Sequence, residues 1–262
     1  MNLFRALLNP SGGILYHIKG FLYSQNLWLN FNKNLEKLLF AWRKFESPSG
    51  GVILIGSSGG YCLSPEWLVQ YKEVVIVDPD PVAHKIFKEK YKPTDTNIIS
   101  SDVKEVFVEN GRPCDRSLQA VLSAYPEHDI VFCNIIGQLK FLYPDIRESL
   151  WVSFFRDLVE SLKPRGFFSF HDRYSSSMRP DVEGYFKNYS TNRLTPEDFV
   201  RELYQTSASA ITGSIIPRTA EVIDHCTAHF FSEYQAYFLS WQIVPKFYHC
   251  VEVVYEPGNK EA

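Results

Sequence analysis

From Gly51 onward short apolar runs alternate with helical stretches, and that alternation restricts the chain to largely parallel strands joined by crossover helices. The runs are GVILIG, EVVIVD, NIIS, HDIVFCNII and GFFSFHD, with a last run FYHCVEVVYEP near the C-terminus. HDIVFCNII and GFFSFHD are apolar at both alternate sets of positions, as interior strands covered on both faces must be. Between them Trp151, Phe154, Phe155, Leu158, Val159 and Leu162 fall on one helical stripe that stops at Pro164, which predicts a helix crossing over the sheet.

The first fifty residues read differently. Leu35, Leu38, Leu39 and Trp42 recur at helical spacing with lysines opposite, and ESPSGG closes the segment, so residues 1–50 are expected to form a helical N-terminal extension to an α/β domain at 51–262. Its basic residues Arg5, Lys19, Lys33, Lys37, Arg43 and Lys44 read as a solvated helix face. After Asp172 the pattern fades into RYSSSMRPDVEGYFKNYSTNR, and residues 173–235 are expected to be a loop and helical insertion shaping an acceptor pocket. Within it Thr195 and Pro196 predict a helix start, and a second helical run is expected over about 219–237.

Composition excludes several classes. A chain of 262 residues with 45% hydrophobic content buries a core without help, and a net charge of -3 gives no general attraction for nucleic acid, so a small-molecule acceptor is the expected partner. Five scattered cysteines without a paired CxxC indicate neither a disulfide framework nor a zinc cluster, which fits a reducing cytoplasm. No apolar run approaches the roughly 20 residues of a membrane span, and MNLFRALLNPSGG lacks the length of a secretory signal.

The turn after the first run, GSSGG, lies where open parallel sheets place their ligands. It suits a phosphate or nucleoside against the backbone, a nucleophilic serine on an elbow, or a plain strand-to-helix connection. Gly56 lets the chain leave the strand tightly, and Gly60 admits a ligand or the next helix. Asp78, about twenty residues on, stands where a carboxylate meets two ribose hydroxyls, with Asp80 as a second carboxylate nearby.

In order and spacing, VILIGSSGG, VVIVDPD, IISSDVKEVF, HDIVFCNIIGQL and LKPRGFFSFHD resemble the strand-end motifs of class I S-adenosylmethionine-dependent methyltransferases over about 51–172, and YFLSWQIV with FYHCVEVVYEP resembles their closing antiparallel hairpin. The resemblance implies a Rossmann-like, seven-stranded, mostly parallel sheet and S-adenosylmethionine as cofactor. Gly56, Ser57, Ser58, Gly59 and Gly60 would pass its methionine portion, Asp78 would hold the ribose, Asp102 with Val103 would meet the adenine, and Asn134 would border the reacting methyl. The sequence departs from the family pattern at Leu54, where an acid is usual, and at Ser58, where a second glycine is usual.

Other readings stay open. GSSGG also fits a nucleophile elbow with Ser58, Asp172 and His249 in α/β-hydrolase order, and losses at Leu54 and Ser58 suit a methyltransferase-like scaffold that no longer catalyses. A nicotinamide site is disfavoured because Ser58 breaks the dinucleotide pattern. His171 and Asp172 end a strand on the ligand side, where they would serve as base and orienting carboxylate toward the acceptor, or cap the following turn. No metal site is expected: Asn134 and Asp172 are two oxygen ligands, too few for one, while His225 and His229, one turn apart on an expected helix, read as surface or core residues. Cys133 reads as a buried strand residue.

Overall fold

A computed structural model describes residues 13–45, 50–101, 103, 105–182, 200, 202–204 and 222–258. Seven strands form the main sheet in the order β3-β2-β1-β6-β7-β10-β9, with a short β8 added to β7. These are β1 (Gly51–Ile55), β2 (Glu73–Val77), β3 (Asn97–Ser100), β6 (Asp129–Cys133), β7 (Phe167–Ser176), β8 (Val222–Asp224), β9 (Ala236–Val244) and β10 (Phe247–Glu256). A separate two-stranded ribbon pairs β4 (Val108–Glu109) with β5 (Arg112–Pro113). β1 pairs in parallel with both β2 and β6, β2 with β3, and β6 with β7, whereas β10 runs antiparallel to β7 and β9. The expected Rossmann-like, mostly parallel sheet with a terminal antiparallel hairpin is the fold found.

Both faces are covered, which explains the uninterrupted apolar runs. Ile53, Ile55, Val75, Val77, Ile130 and Phe132 point into a layer shared with α5 (Arg116–Ala124) and α7 (Glu148–Leu162). Val52, Leu54, Val74, Ile76, Val131 and Phe168 point into the other layer. That second layer contains α2 (Leu29–Phe45), which contributes Phe31, Leu35, Leu38, Leu39 and Trp42.

The N-terminal segment is therefore part of the domain core, where the sequence suggested an appendage. Phe31 stacks on Trp241 of β9 at 4.8 Å, and the Trp28 and Trp42 indole N–H groups donate to the Ile243 and Glu256 carbonyls at 3.0 and 3.3 Å. The lysine-bearing side of α2 faces outward, but Arg43 is buried and lies 3.4 Å from Asp129.

Two further expectations are corrected. The insertion does not begin at 173, because β7 continues to Ser176 and pairs there with β8. Where the described residues cover the helix expected over about 219–237, from 222 on, they form β8, a series of turns and the start of β9: His225 follows a strand, and Cys226 adopts φ 58°. Aromatic residues from this stretch explain the misleading apolar spacing, since Phe230 and Phe231 pack on Phe155 and Phe167 from a turn. Thr195 and Pro196 lie outside the described residues; 200 and 202–204 are helical.

Candidate functional site

The carboxyl ends of β1, β2, β6 and β7 converge on two adjoining sets of polar groups. Leaving β1, the chain turns with Gly56 at φ 73°, Ser58 at φ 51° and Gly60 at φ 68°, three alternate left-handed positions of the kind that suits glycine best. The Gly56 N–H donates to the Val77 carbonyl at 2.8 Å, which extends the β1–β2 ladder by one bond. A β-carbon on Gly60 would sit 2.6 Å from Tyr91 and 2.8 Å from Phe87, so of its two expected uses this glycine serves close packing against α4 (Pro81–Tyr91). The Tyr91 hydroxyl, and the Lys90 ammonium beside it, both donate to the Gly60 carbonyl. Burial brings Lys90 down to about 8.

Asp78 ends β2 beneath this turn. Its Oδ2 accepts the Ser58 N–H at 2.7 Å and its Oδ1 the Asp80 N–H at 2.9 Å. Burial raises its pKa, and these two backbone donors oppose the rise. Asp80 caps α4 through the Val82 N–H and accepts from His17 Nε2 at 3.0 Å. His17 belongs to α1 (Ile14–Tyr23) and also meets the Tyr61 hydroxyl at 3.2 Å, so α1 lies across the ligand end of the sheet. Burial, then Cys62 and Asp172 nearby, push the neighbouring Tyr16 phenol well up.

Ser57 Oγ, Ser58 Oγ, His84 Nε2 and Ser100 Oγ are buried and hydrogen-bond to no described residue. They follow β1, sit in α4 near Asp78 and end β3, so they line the carboxyl edge of three adjacent strands. Buried polar atoms are normally satisfied. Polar groups of a ligand of nucleoside size laid along this edge are of the kind that would satisfy them. Val103 is half-buried against the α5–α7 layer, and Asp102 lies outside the described residues. Leu54 is wholly buried in the α2 layer, so the family's acid has no counterpart there.

The second set centres on Asp172. Asn134 leaves β6 at φ 56°, its Oδ1 accepts the Asp172 N–H at 2.8 Å, and its Nδ2 donates to Asp172 Oδ2 at 3.0 Å. Gln138 Nε2 donates to the same oxygen at 2.8 Å, and His249 Nδ1 lies 2.9 Å from it. Gly137 makes this possible, since a β-carbon there would lie 2.6 Å from the Asp172 backbone nitrogen. Despite burial, the His249 imidazole first and foremost holds Asp172 below the usual carboxylate range.

His171 is not part of this set. Successive side chains on a strand point to opposite faces, and His171 faces Phe231, Ser169 and Glu252 in the opposite layer. Burial first, then Arg173, brings it to about 3, so it is neutral and sealed. The imidazoles that do adjoin Asp172 are His249 from β10, which the sequence offered only in hydrolase order, and His225 after β8, which it read as a surface or core residue. The Asp–His half of a hydrolase triad thus exists, but Ser58 Oγ makes no hydrogen bond to it or to any described residue. Burial pushes Cys62 up to about 12 and Cys133 higher than a free thiol, which makes both poor nucleophiles.

No family profile and no curated protein matches this sequence. Among solved structures, the chain is similar to the N-methyltransferase NodS from Bradyrhizobium japonicum, at 10% identity over 88% of this chain and 99% of that one, with a TM-score of 0.39. It is similar to an O-methyltransferase from Bacillus cereus in complex with SAH, at 11% identity over 97% and 95%, with a TM-score of 0.37. A SAM-dependent methyltransferase from Aquifex aeolicus shares 13% identity over 82% and 86%, with a TM-score of 0.32. Among the described residues no helix is long and apolar enough to cross a membrane.

Proposed function

We propose that this chain binds S-adenosylmethionine along the carboxyl ends of β1–β3 and transfers its methyl group to a small-molecule nucleophile beside Asn134. The row of unsatisfied buried groups at Ser57, Ser58, His84 and Ser100 is the observation that carries the reading. When bound, the cofactor supplies an electrophilic methyl on a sulfonium. Gly56 to Gly60 present backbone to its methionine portion, and Asp78 offers the remaining lone pairs of its carboxylate to the ribose. Asp102 and Val103 would flank the adenine. The α1 helix, held by His17 and Tyr16, keeps water from the reacting centre, and Asn134 and Asp172 set the wall on which an acceptor is oriented.

Calorimetric titration with S-adenosylmethionine and S-adenosylhomocysteine tests this, with saturable heat expected for both. Asp78→Asn keeps one acceptor for the turn but removes the charge, and a charge-assisted bond exceeds a neutral one by about 1 to 1.5 kcal/mol. Cofactor affinity is expected to fall about tenfold. A lowered melting temperature with unchanged affinity would mean that Asp78 only fastens the turn. A second reading, a methyltransferase-like domain without cofactor, is favoured by Leu54 and by the two backbone N–H groups already on Asp78. Absence of heat at millimolar ligand selects it.

A further inference from the structure

We propose that Asp172, His225 and His249 bind one first-row divalent transition cation such as Zn²⁺ through a carboxylate oxygen, His225 Nε2 and His249 Nδ1. One ligand atom from each of these residues lies within 4.8 Å of the others. Residues this far apart in sequence meet because β7 outruns β6. Past Phe170, β7 pairs with β8 in place of β6, and the ladder continues through the His225 N–H to the Arg173 carbonyl at 3.1 Å. His225 is thereby delivered over Gly137, while β10 brings His249 opposite Ser175.

The hydrogen bonds leave His225 ready to coordinate. Its Nδ1 lies 2.7 Å from the Gly137 carbonyl, which has no proton to give, so Nδ1 carries the hydrogen and Nε2 keeps its lone pair. A backbone carbonyl on the far nitrogen is the usual outer support of a metal-bound imidazole. Nε2 lies 2.6 Å from Ser175 Oγ, and the same hydroxyl lies 3.3 Å from His249 Nδ1. The two imidazole ligand atoms therefore flank one small hydroxyl and Asp172 Oδ2 lies 2.9 Å from His249 Nδ1, while tetrahedral ligands about 2.1 Å from a metal stand about 3.4 Å apart.

Asp172 completes the set. Its Oδ2 takes the Asn134, Gln138 and His249 contacts, while Oδ1 is buried with no hydrogen bond to a described residue. An orphaned carboxylate oxygen in a buried site is relieved by a cation. On binding, the hydrogen on His249 Nδ1 moves to Nε2 of the same ring, so no net proton is lost. Two imidazoles with one carboxylate favour a borderline transition cation over Mg²⁺ or Ca²⁺, which take oxygen ligands. His249, with 14% of its side chain accessible, is the side from which the ion enters. That such a cation would polarise an acceptor oxygen rests on the methyl-transfer reading; its binding does not.

The test uses the full chain stripped with chelator and titrated with Co²⁺, read by ligand-field absorption, with Zn²⁺ as competitor. One equivalent of Co²⁺ in a low-symmetry site, displaced by Zn²⁺ and accompanied by a higher melting temperature, is expected. His225→Gln and His249→Gln should each weaken Co²⁺ at least tenfold, while His229→Gln leaves it unchanged. Metal-free melting curves of each variant show that loss of the ion is not loss of the fold. Should a histidine variant melt early, paramagnetically shifted imidazole N–H resonances of the wild-type Co²⁺ form decide instead, two being expected and none overturning the proposal; Ser175→Ala must retain Co²⁺ because the hydroxyl is not a ligand. No saturable absorption in the wild-type chain, or equal affinity in the His225 and His249 variants, overturns the proposal. Cofactor calorimetry in the same metal-free protein reports on S-adenosylmethionine binding separately.

Discussion

Gly56→Val is expected to weaken S-adenosylmethionine about a hundredfold and to lower the melting temperature of the chain. Two costs add at this position. The backbone stands at φ 73°, where a residue with a β-carbon loses about 1–2 kcal/mol. A β-carbon would also lie 2.5 Å from the Ile135 β-carbon, and overpacking of that kind costs about 1–3 kcal/mol. The total of about 2–5 kcal/mol brackets the roughly 2.8 kcal/mol that a hundredfold loss represents. Ile135 adjoins Asn134, so relief by movement disturbs both halves of the site. Gly111→Ala is the control, because Gly111 has the same φ of 73° with nothing within 4 Å, and isolates the backbone cost. Calorimetry with the cofactor and a thermal melt check the result. Wild-type affinity in Gly56→Val would show that GSSGG is only a connection.

Trp241→Ala is expected to cost about 3–5 kcal/mol of stability, the range for removing a buried tryptophan. Trp241 is wholly buried where the N-terminal layer meets the sheet, stacked on Phe31 at 4.8 Å and met edge-on by Trp28 at 5.0 Å. Its ring also backs His249 at 5.7 Å, so the polar cluster should loosen with it. Phe21→Ala, 81% exposed on α1, should change stability by less than about 0.5 kcal/mol. Denaturant unfolding followed by tryptophan fluorescence measures both. A loss below about 1 kcal/mol for Trp241→Ala would mean that α1 and α2 do not unfold cooperatively with the sheet.

Much of the sheet was legible because interior parallel strands are apolar on both faces, as β1, β2 and β6 are after their first residues and β7 is at Phe167, Phe168 and Phe170. The turn was legible too, since left-handed backbone demands residues such as Gly56 and Gly60. Two aspects misled. Apolar spacing alone cannot tell a helix from turns that bury their aromatics, which is why Phe230 and Phe231 suggested a helix and hid His225. The change from appendage to core layer for α2 had no local signal, because an amphipathic helix has the same pattern whether it covers a sheet or another partner.

Local sequence thus determined the order of strands and helices, the strand-end turn and the carboxylate at Asp78. Tertiary structure decided which face each strand-end residue meets. His171 and Asp172 are neighbours in sequence, yet the pleat sends one into a sealed layer and the other into the polar cluster. His225 and His249 reach Asp172 only through the pairing of β8 and β10 with β7. Strand periodicity is a local property, whereas register between distant strands is set by packing of the whole sheet.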